Sequence, residues 1–136
     1  MSFAFARSRY RQADAIVQET ATKPYDVVFM TLKELSRALS VLAATQAADR
    51  TLPPDHVNRA LTAIYILQSS LDFELGGEIA GDLFQLYEFA RFHVLKAWRG
   101  ESDARLLEAA DAMAEILEAW KQIGPQLGST TNAGSS

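Results

Sequence analysis

The side chains of this chain that could do chemistry are two histidines and a row of acidic residues towards its C-terminal end. His56 and His93 would each need a second histidine or a glutamate three or four residues away to hold a metal on one helix face, but Glu88 precedes His93 by five residues. Both histidines are therefore interpreted as ordinary structural residues, and no metal or other cofactor is expected. The sequence has no cysteine, which excludes disulfides and thiolate ligands.

The acidic row also favours a structural interpretation. Glu108, Asp111, Glu115 and Glu118 fall on the polar side of one helical segment, and this spacing is typical of a solvated helix face. General acid catalysis would require these carboxyls to be buried, with shifted pKa values. We therefore expect that the protein is not an enzyme.

The composition indicates a single, mildly acidic domain. The chain has 136 residues, of which 49% are hydrophobic, and a formal net charge of −4. That charge argues against nucleic-acid binding, which needs clustered lysine and arginine. No apolar run approaches the roughly 20 residues of a membrane span, and the N-terminus lacks the apolar core of a signal peptide. We expect a cytoplasmic protein without membrane insertion.

Helices must position whatever site the chain carries, because apolar residues recur every three or four positions along it. The predicted fold is all-α. It is an antiparallel four-helix bundle over residues 24–124, preceded by an arm or short helix at residues 1–23 and followed by a disordered tail at residues 125–136. The predicted helices run from Tyr25 to Ala48, from Pro54 or Asp55 to Leu75, from Glu78 to Arg99, and from Ser102 or Asp103 to Ile123.

Two adjacent glycines are expected to form the turn between the second and third helices. Gly76 can end a helix in the left-handed conformation, and Gly77 can then let the chain reverse. This interpretation places Leu75 at the end of the second core stripe and Ile79 at the start of the third. The core stripes of the last two helices are also predicted to contain Leu86, Trp98 and Leu107.

Apolar residues outside these core stripes are the candidates for a binding surface. They are Met30, Val41, Ile66, Phe73, Phe89 and Phe92. Single exposed apolar residues are normal, and a broad stripe on a helix can meet two neighbours. Six such positions nevertheless predict an exposed apolar groove that accepts the apolar face of a partner helix. The aromatic residues of the N-terminal arm, Phe3, Phe5 and Tyr10, are expected to cover this groove.

Three stretches carry a resemblance to a known family. The first is LDFELGGEIAGDLFQLYEF at residues 71–89, with its Gly-Gly-Glu-Ile-Ala and Leu-Tyr, and the second is Glu-Ala-Trp-Lys at residues 118–121. The third comprises Tyr10 and the run TATKP at residues 20–24. Together these stretches resemble the flagellin-specific secretion chaperones, the FliS family, over essentially the whole chain up to Ile123.

The resemblance implies a function and its partners. A FliS-like chain would bind the disordered C-terminal segment of flagellin in the cytoplasm, prevent its premature polymerisation and deliver it to the export gate of the flagellar type III apparatus. It would use no cofactor, and its arm, with Tyr10, would lie near the client surface. Two alternatives stay open from the residues alone. One is a non-enzymatic helical adaptor that homodimerises or binds another flagellar or regulatory protein, and the other is a bundle that binds a metal or small ligand.

Overall fold

Four helices make up the described part of the chain. The computed structural model describes the backbone of residues 24–135 and the side chains of residues 25–122. The helices are α1 (Pro24–Ala47), α2 (Pro54–Ser69), α3 (Phe73–Trp98) and α4 (Leu106–Ser135), and this part of the chain contains no strand. The prediction of an all-α helical bundle is confirmed. The predicted arm, with Phe3, Phe5 and Tyr10, lies outside the described residues.

The four helices pack in a ring. Helix α1 contacts α2 and α4, and α3 completes the ring by contacting the same two helices. At one end the Tyr25 hydroxyl donates to the Trp120 carbonyl at 2.9 Å, and their rings stack at 5.4 Å. At the other end the Gln46 side-chain amide donates to the Ala104 carbonyl at 3.0 Å. The start of α1 therefore lies beside the middle of α4, and the two helices run antiparallel.

The core follows the helical spacing of the sequence. The buried face of α1 repeats a leucine every three or four residues, at Leu32, Leu35, Leu39 and Leu42, each fully buried. These leucines belong to one cluster with side chains of the other three helices: Ile64, Leu67, Val94, Leu106 and Met113. Burying one such side chain contributes about 1.5–3 kcal/mol, so this cluster supplies most of the driving force for bundle formation.

The turn between α2 and α3 lies about six residues earlier than the sequence predicts, and the glycine pair is not that turn. Helix α2 ends at Ser69 and α3 begins at Phe73. The reason is Asp72, whose carboxylate accepts hydrogen bonds from the backbone N–H groups of Glu74 and Leu75, both at 3.0 Å. An aspartate in this position caps the N-terminus of a helix and starts a new one.

The two glycines instead produce a kink inside α3. Gly77 has φ +52° and ψ −123°, a conformation that a residue with a Cβ rarely adopts. A Cβ added to Gly76 would lie 2.9 Å from the Cβ of Ala80, so Gly76 permits a close approach of the first turn to the rest of the helix. The rings of Phe73 and Phe84 are 6.0 Å apart as a result.

Several residues predicted to be in the core are exposed. Leu75 and Ile79 are 89% and 70% exposed. They were expected at the facing ends of two antiparallel helices, but they lie instead on either side of the kink within α3. Leu107 lies at the edge of the α4 stripe, and Trp98 is the last residue of α3, where little of the bundle remains to pack against it. Leu86 is also partly exposed.

Helix α4 continues to Ser135, whereas the sequence predicts that it ends at Ile123. The helix passes through Gly124 and Pro125. A proline within a helix removes one hydrogen bond, which can kink the helix without ending it. The division of the chain into a bundle over residues 24–124 and a tail over residues 125–136 stays a prediction.

Candidate functional site

The six residues predicted to form a groove differ in exposure. Met30, Ile66, Phe73 and Phe92 are exposed, whereas Val41 and Phe89 are half-buried. Phe89 packs against the core cluster. Large apolar side chains at the surface of a bundle with a complete core of its own are candidates for contact with another molecule.

Met30 and Ile66 belong to the face that α1 and α2 share. Glu34 on α1 and Arg59 on α2 form an exposed ion pair at 3.9 Å, which fixes the level of the two antiparallel helices. Met30 lies about one turn before Glu34, and Ile66 lies about two turns after Arg59, so both lie towards the same end of the bundle.

Phe89 and Phe92 meet at the other end of the bundle, around His93. The ring of His93 is 4.4 Å from that of Phe89 and 5.1 Å from that of Phe92. The guanidinium of Arg105 lies 5.4 Å from the centre of the Phe89 ring, and Lys96 lies 5.9 Å from that of Phe92. These distances suit cation–π attraction, so the cluster has an aromatic centre with cationic neighbours.

His93 also connects α3 to the start of α4. Its Nδ1 accepts a hydrogen bond from the backbone N–H of Arg105 at 2.9 Å, which requires an unprotonated Nδ1. Burial lowers the pKa of His93, and the positive charges of Arg105 and Lys96 lower it further. The histidine therefore serves as a neutral acceptor for an N–H group at a helix N-terminus, which agrees with the structural role predicted for it.

Phe73 is the first residue of α3, four residues after the end of α2. Its ring packs against Phe84 near the kink. A polar cluster follows on α3: Glu88 accepts from the side-chain amide of Gln68 on α2 and from two guanidinium nitrogens of Arg91, all at 2.9 Å. The hydrogen bond from Arg91 is the main cause that lowers the pKa of Glu88. The rings of Phe89 and Phe92 thus lie on a later part of α3 than Phe73, and the continuous groove formed by all six residues stays a prediction.

Two of the exposed residues that were predicted to be in the core, Leu75 and Ile79, flank the same kink. Leu75 and Ile79 are the two most exposed large apolar side chains of the described residues. Their exposure was hidden because Leu67, Leu71 and Leu75 keep a four-residue spacing across the break between α2 and α3. The signal that could have revealed the break is Asp72, a preferred N-cap residue within that stripe.

Comparison with known proteins decides the family. The family model described as "Flagellar protein FliS" matches residues 6–127. The chain belongs to the FliS family. A flagellar secretion chaperone FliS of Vibrio cholerae is 30% identical over 91% of this chain and 92% of its own length. The flagellar secretion chaperone FliSB of Pseudomonas aeruginosa is 25% identical over 87% of this chain and 94% of its own. No solved structure matches the chain.

A second FliS protein, from Salmonella typhimurium, is 41% identical over 61 residues, which is 44% of each chain.

Membership in the FliS family makes this protein a flagellar export chaperone and not an enzyme, so its partner is a flagellar client protein. The resemblance read from the residues is therefore confirmed.

The described residues also form a concave feature between α1 and α4. An open pocket of about 540 Å³ is lined mainly by small residues, and the exposed Leu107 stands at its edge. Its small residues are Ser40, Ala43, Ala44, Ala47, Ala110 and Ala114. Among the described residues there is no group of three side chains suited to hold a metal, and none of the described helices could span a membrane.

Proposed function

We propose that this FliS-family chain binds the disordered C-terminal segment of flagellin in the cytoplasm, prevents its premature polymerisation and delivers it to the export gate of the flagellar type III apparatus. The observation that carries the proposal is the set of large apolar side chains left outside a complete core, including Met30, Phe73 and Phe92. Family membership supports the chaperone role and the flagellar client.

The exposed residues suit a client that becomes ordered on binding. Ordering a disordered segment costs about 2–5 kcal/mol or more of the interaction energy, so the chaperone must offer extended apolar contact. Burial of apolar surface returns about 25 cal/mol per Å². Exposed apolar side chains towards both ends of the bundle favour a long segment that wraps over several helices, rather than one short helix in one groove.

The six residues predicted from the sequence are proposed as client contacts: Met30, Val41, Ile66, Phe73, Phe89 and Phe92. The N-terminal arm, with Phe3, Phe5 and Tyr10, is proposed as a cover that leaves when the client binds. Deletion of residues 1–17 tests the cover, since the deleted chain should bind flagellin more tightly or lose solubility. Unchanged affinity together with unchanged solubility would count against it.

Co-purification with the C-terminal segment of flagellin tests the proposed function. Phe73→Asp and Phe92→Asp each place a charge on an exposed apolar contact and should weaken binding by about tenfold or more. Gln85→Asp is the matched control, because it adds the same charge at an exposed polar position of α3. If the segment binds equally to all three variants, these residues are not the contact. If it does not bind the unchanged protein, flagellin is not the client.

A further inference from the structure

The kink in α3 exposes an apolar patch that the core does not use. Leu75 lies two residues before Gly77 and Ile79 two residues after it, and they are 89% and 70% exposed. Both are far more exposed than Phe73 in the same turn, which is 41% exposed and packs on Phe84. The helix break therefore presents two aliphatic side chains to solvent, one on each side of Gly77 and four residues apart, and neither belongs to the core cluster.

Four carboxylates surround this patch in the sequence: Asp72, Glu74, Glu78 and Asp82. The chain has no lysine or arginine from residue 71 to residue 90, so no basic side chain within this stretch can pair with Glu78 or Asp82. Glu78 and Asp82 are exposed, and neither forms an ion pair with another described residue. The patch formed by Leu75 and Ile79 is thus apolar at its centre and anionic at its edge.

The charge of this edge discriminates between occupants. A second copy of the chain docked on the same patch by a two-fold axis would bring the two sets of carboxylates together, and like charges at an interface oppose association. A partner with positive charges beside its apolar side chains gains both the apolar contact and the attraction. Charge complementarity therefore selects a cationic amphipathic segment.

We propose that the patch of Leu75 and Ile79 is a docking site for a client segment that presents apolar side chains flanked by lysine or arginine. This inference rests on the proposed function, and it adds the chemistry by which one part of the client is recognised. The carboxylates of Glu78 and Asp82 select the basic residues, and the two aliphatic side chains supply the contact area.

The test measures the binding of two synthetic helical peptides to the full chain in physiological salt. One peptide carries leucine along one face with lysine beside it, and its twin carries glutamate in place of lysine. The lysine peptide should bind at least about tenfold more tightly than its twin, because the twin faces like charges. Leu75→Ser combined with Ile79→Ser should weaken the lysine peptide by about tenfold or more.

Two double variants distinguish the effect of the charges beside the patch from the effect of the net charge of the protein. Glu78→Lys with Asp82→Lys should abolish or invert the preference for the lysine peptide. Glu115→Lys with Glu118→Lys changes the net charge of the protein equally, at exposed positions of α4, and should leave the preference in place. Equal binding of the two peptides, or an equal loss of preference with the α4 variant, overturns the proposal. An equal loss of affinity with Leu107→Ser, a control with 65% exposure on α4, also overturns it.

Repeating the measurement with the C-terminal segment of flagellin separates this inference from the proposed function. If flagellin binds but ignores both changes at the patch, the patch is not its docking site and the inference fails alone. If the lysine peptide docks as expected and flagellin does not bind at all, the proposed function fails and the patch remains. A photo-crosslinker at position 79 should capture the added peptide. Capture of residues 1–23 or of a second copy instead, with the peptide at saturation, overturns the proposal.

Discussion

Substitution of Gly77 by alanine tests the kink on which the exposed patch depends. Gly77 adopts φ +52° and ψ −123°, and a Cβ there would meet no atom within 4 Å, so the whole effect comes from backbone strain. Such strain costs about 1–3 kcal/mol, and alanine recovers about 0.4–1 kcal/mol by restricting the unfolded chain. Gly77→Ala should therefore lower the free energy of unfolding by about 1–2 kcal/mol.

Gly81→Ala is the matched control four residues later. Gly81 lies in the regular part of α3, and a Cβ added there also meets nothing within 4 Å. Alanine is favoured over glycine by about 0.5–1 kcal/mol inside a helix, so this variant should raise the free energy of unfolding. Urea denaturation followed by circular dichroism measures both variants, whose free energies of unfolding should differ by about 1.5–3 kcal/mol, with changes of opposite sign.

The same substitution should change the local structure. Phe73 and Phe84 are eleven positions apart, about 16 Å along a straight helix, yet their ring centres are 6.0 Å apart. A variant that straightens the helix to relieve Gly77 must separate these rings, and the nuclear Overhauser effects between them should weaken. If Gly77→Ala and Gly81→Ala change the stability by the same amount and both keep the ring contact, the kink does not depend on glycine and the reasoning is refuted.

Two further predictions concern the ends of the bundle. Lowering the pH below about 6.5, the ordinary pKa of histidine, should destabilise the protein. The folded state holds the pKa of His93 below that value, so acid protonates the unfolded chain first. His93→Asn keeps a hydrogen-bond acceptor that does not titrate, so it should flatten the dependence of the free energy of unfolding on pH in this range, as measured by urea denaturation. An unchanged dependence would contradict the assignment of this pH effect to His93. At the other end, Tyr25→Phe removes the hydroxyl that donates to the Trp120 carbonyl and should lower the free energy of unfolding by about 0.5–1.5 kcal/mol, whereas a neutral result would show that water replaces this bond.

The core of the bundle was predictable because its spacing is local. The buried leucines of α1 repeat at the helical period over a stretch without glycine or proline, so position along the chain determines face. The α2–α3 turn was not predicted, because Leu67, Leu71 and Leu75 continue the same period past the point where the helix ends. The period of the apolar residues predicts which side of a helix is buried, but it does not show where one helix ends and the next begins. Here the next helix begins at the N-cap formed by Asp72.

The arrangement of the candidate surface depended on contacts between helices that sequence spacing does not encode. Phe89 and Phe92 lie on α3, three residues apart. Their shared contact with His93, and the cation of Arg105 over the Phe89 ring, require α4 to begin beside that turn. Phe73 lies sixteen residues before Phe89 on α3, and the contact of Gln68 with Glu88 joins α2 to α3 between them.

The two ends of α3 differ in how their charges are used. Near Phe89 and Phe92 the basic residues have acidic partners in exposed ion pairs: Arg91 with Glu88, Lys96 with Asp103, Arg99 with Glu101 and Arg105 with Glu108. These pairs cancel most of the field there, so a partner at that end would meet aromatic rings with little net charge. Beside Leu75 and Ile79, Glu78 and Asp82 have no ion-pair partner among the described residues. We therefore expect a partner segment to be recognised by its charge at the kinked end of α3. At the other end we expect it to be recognised by how its shape fits the aromatic rings.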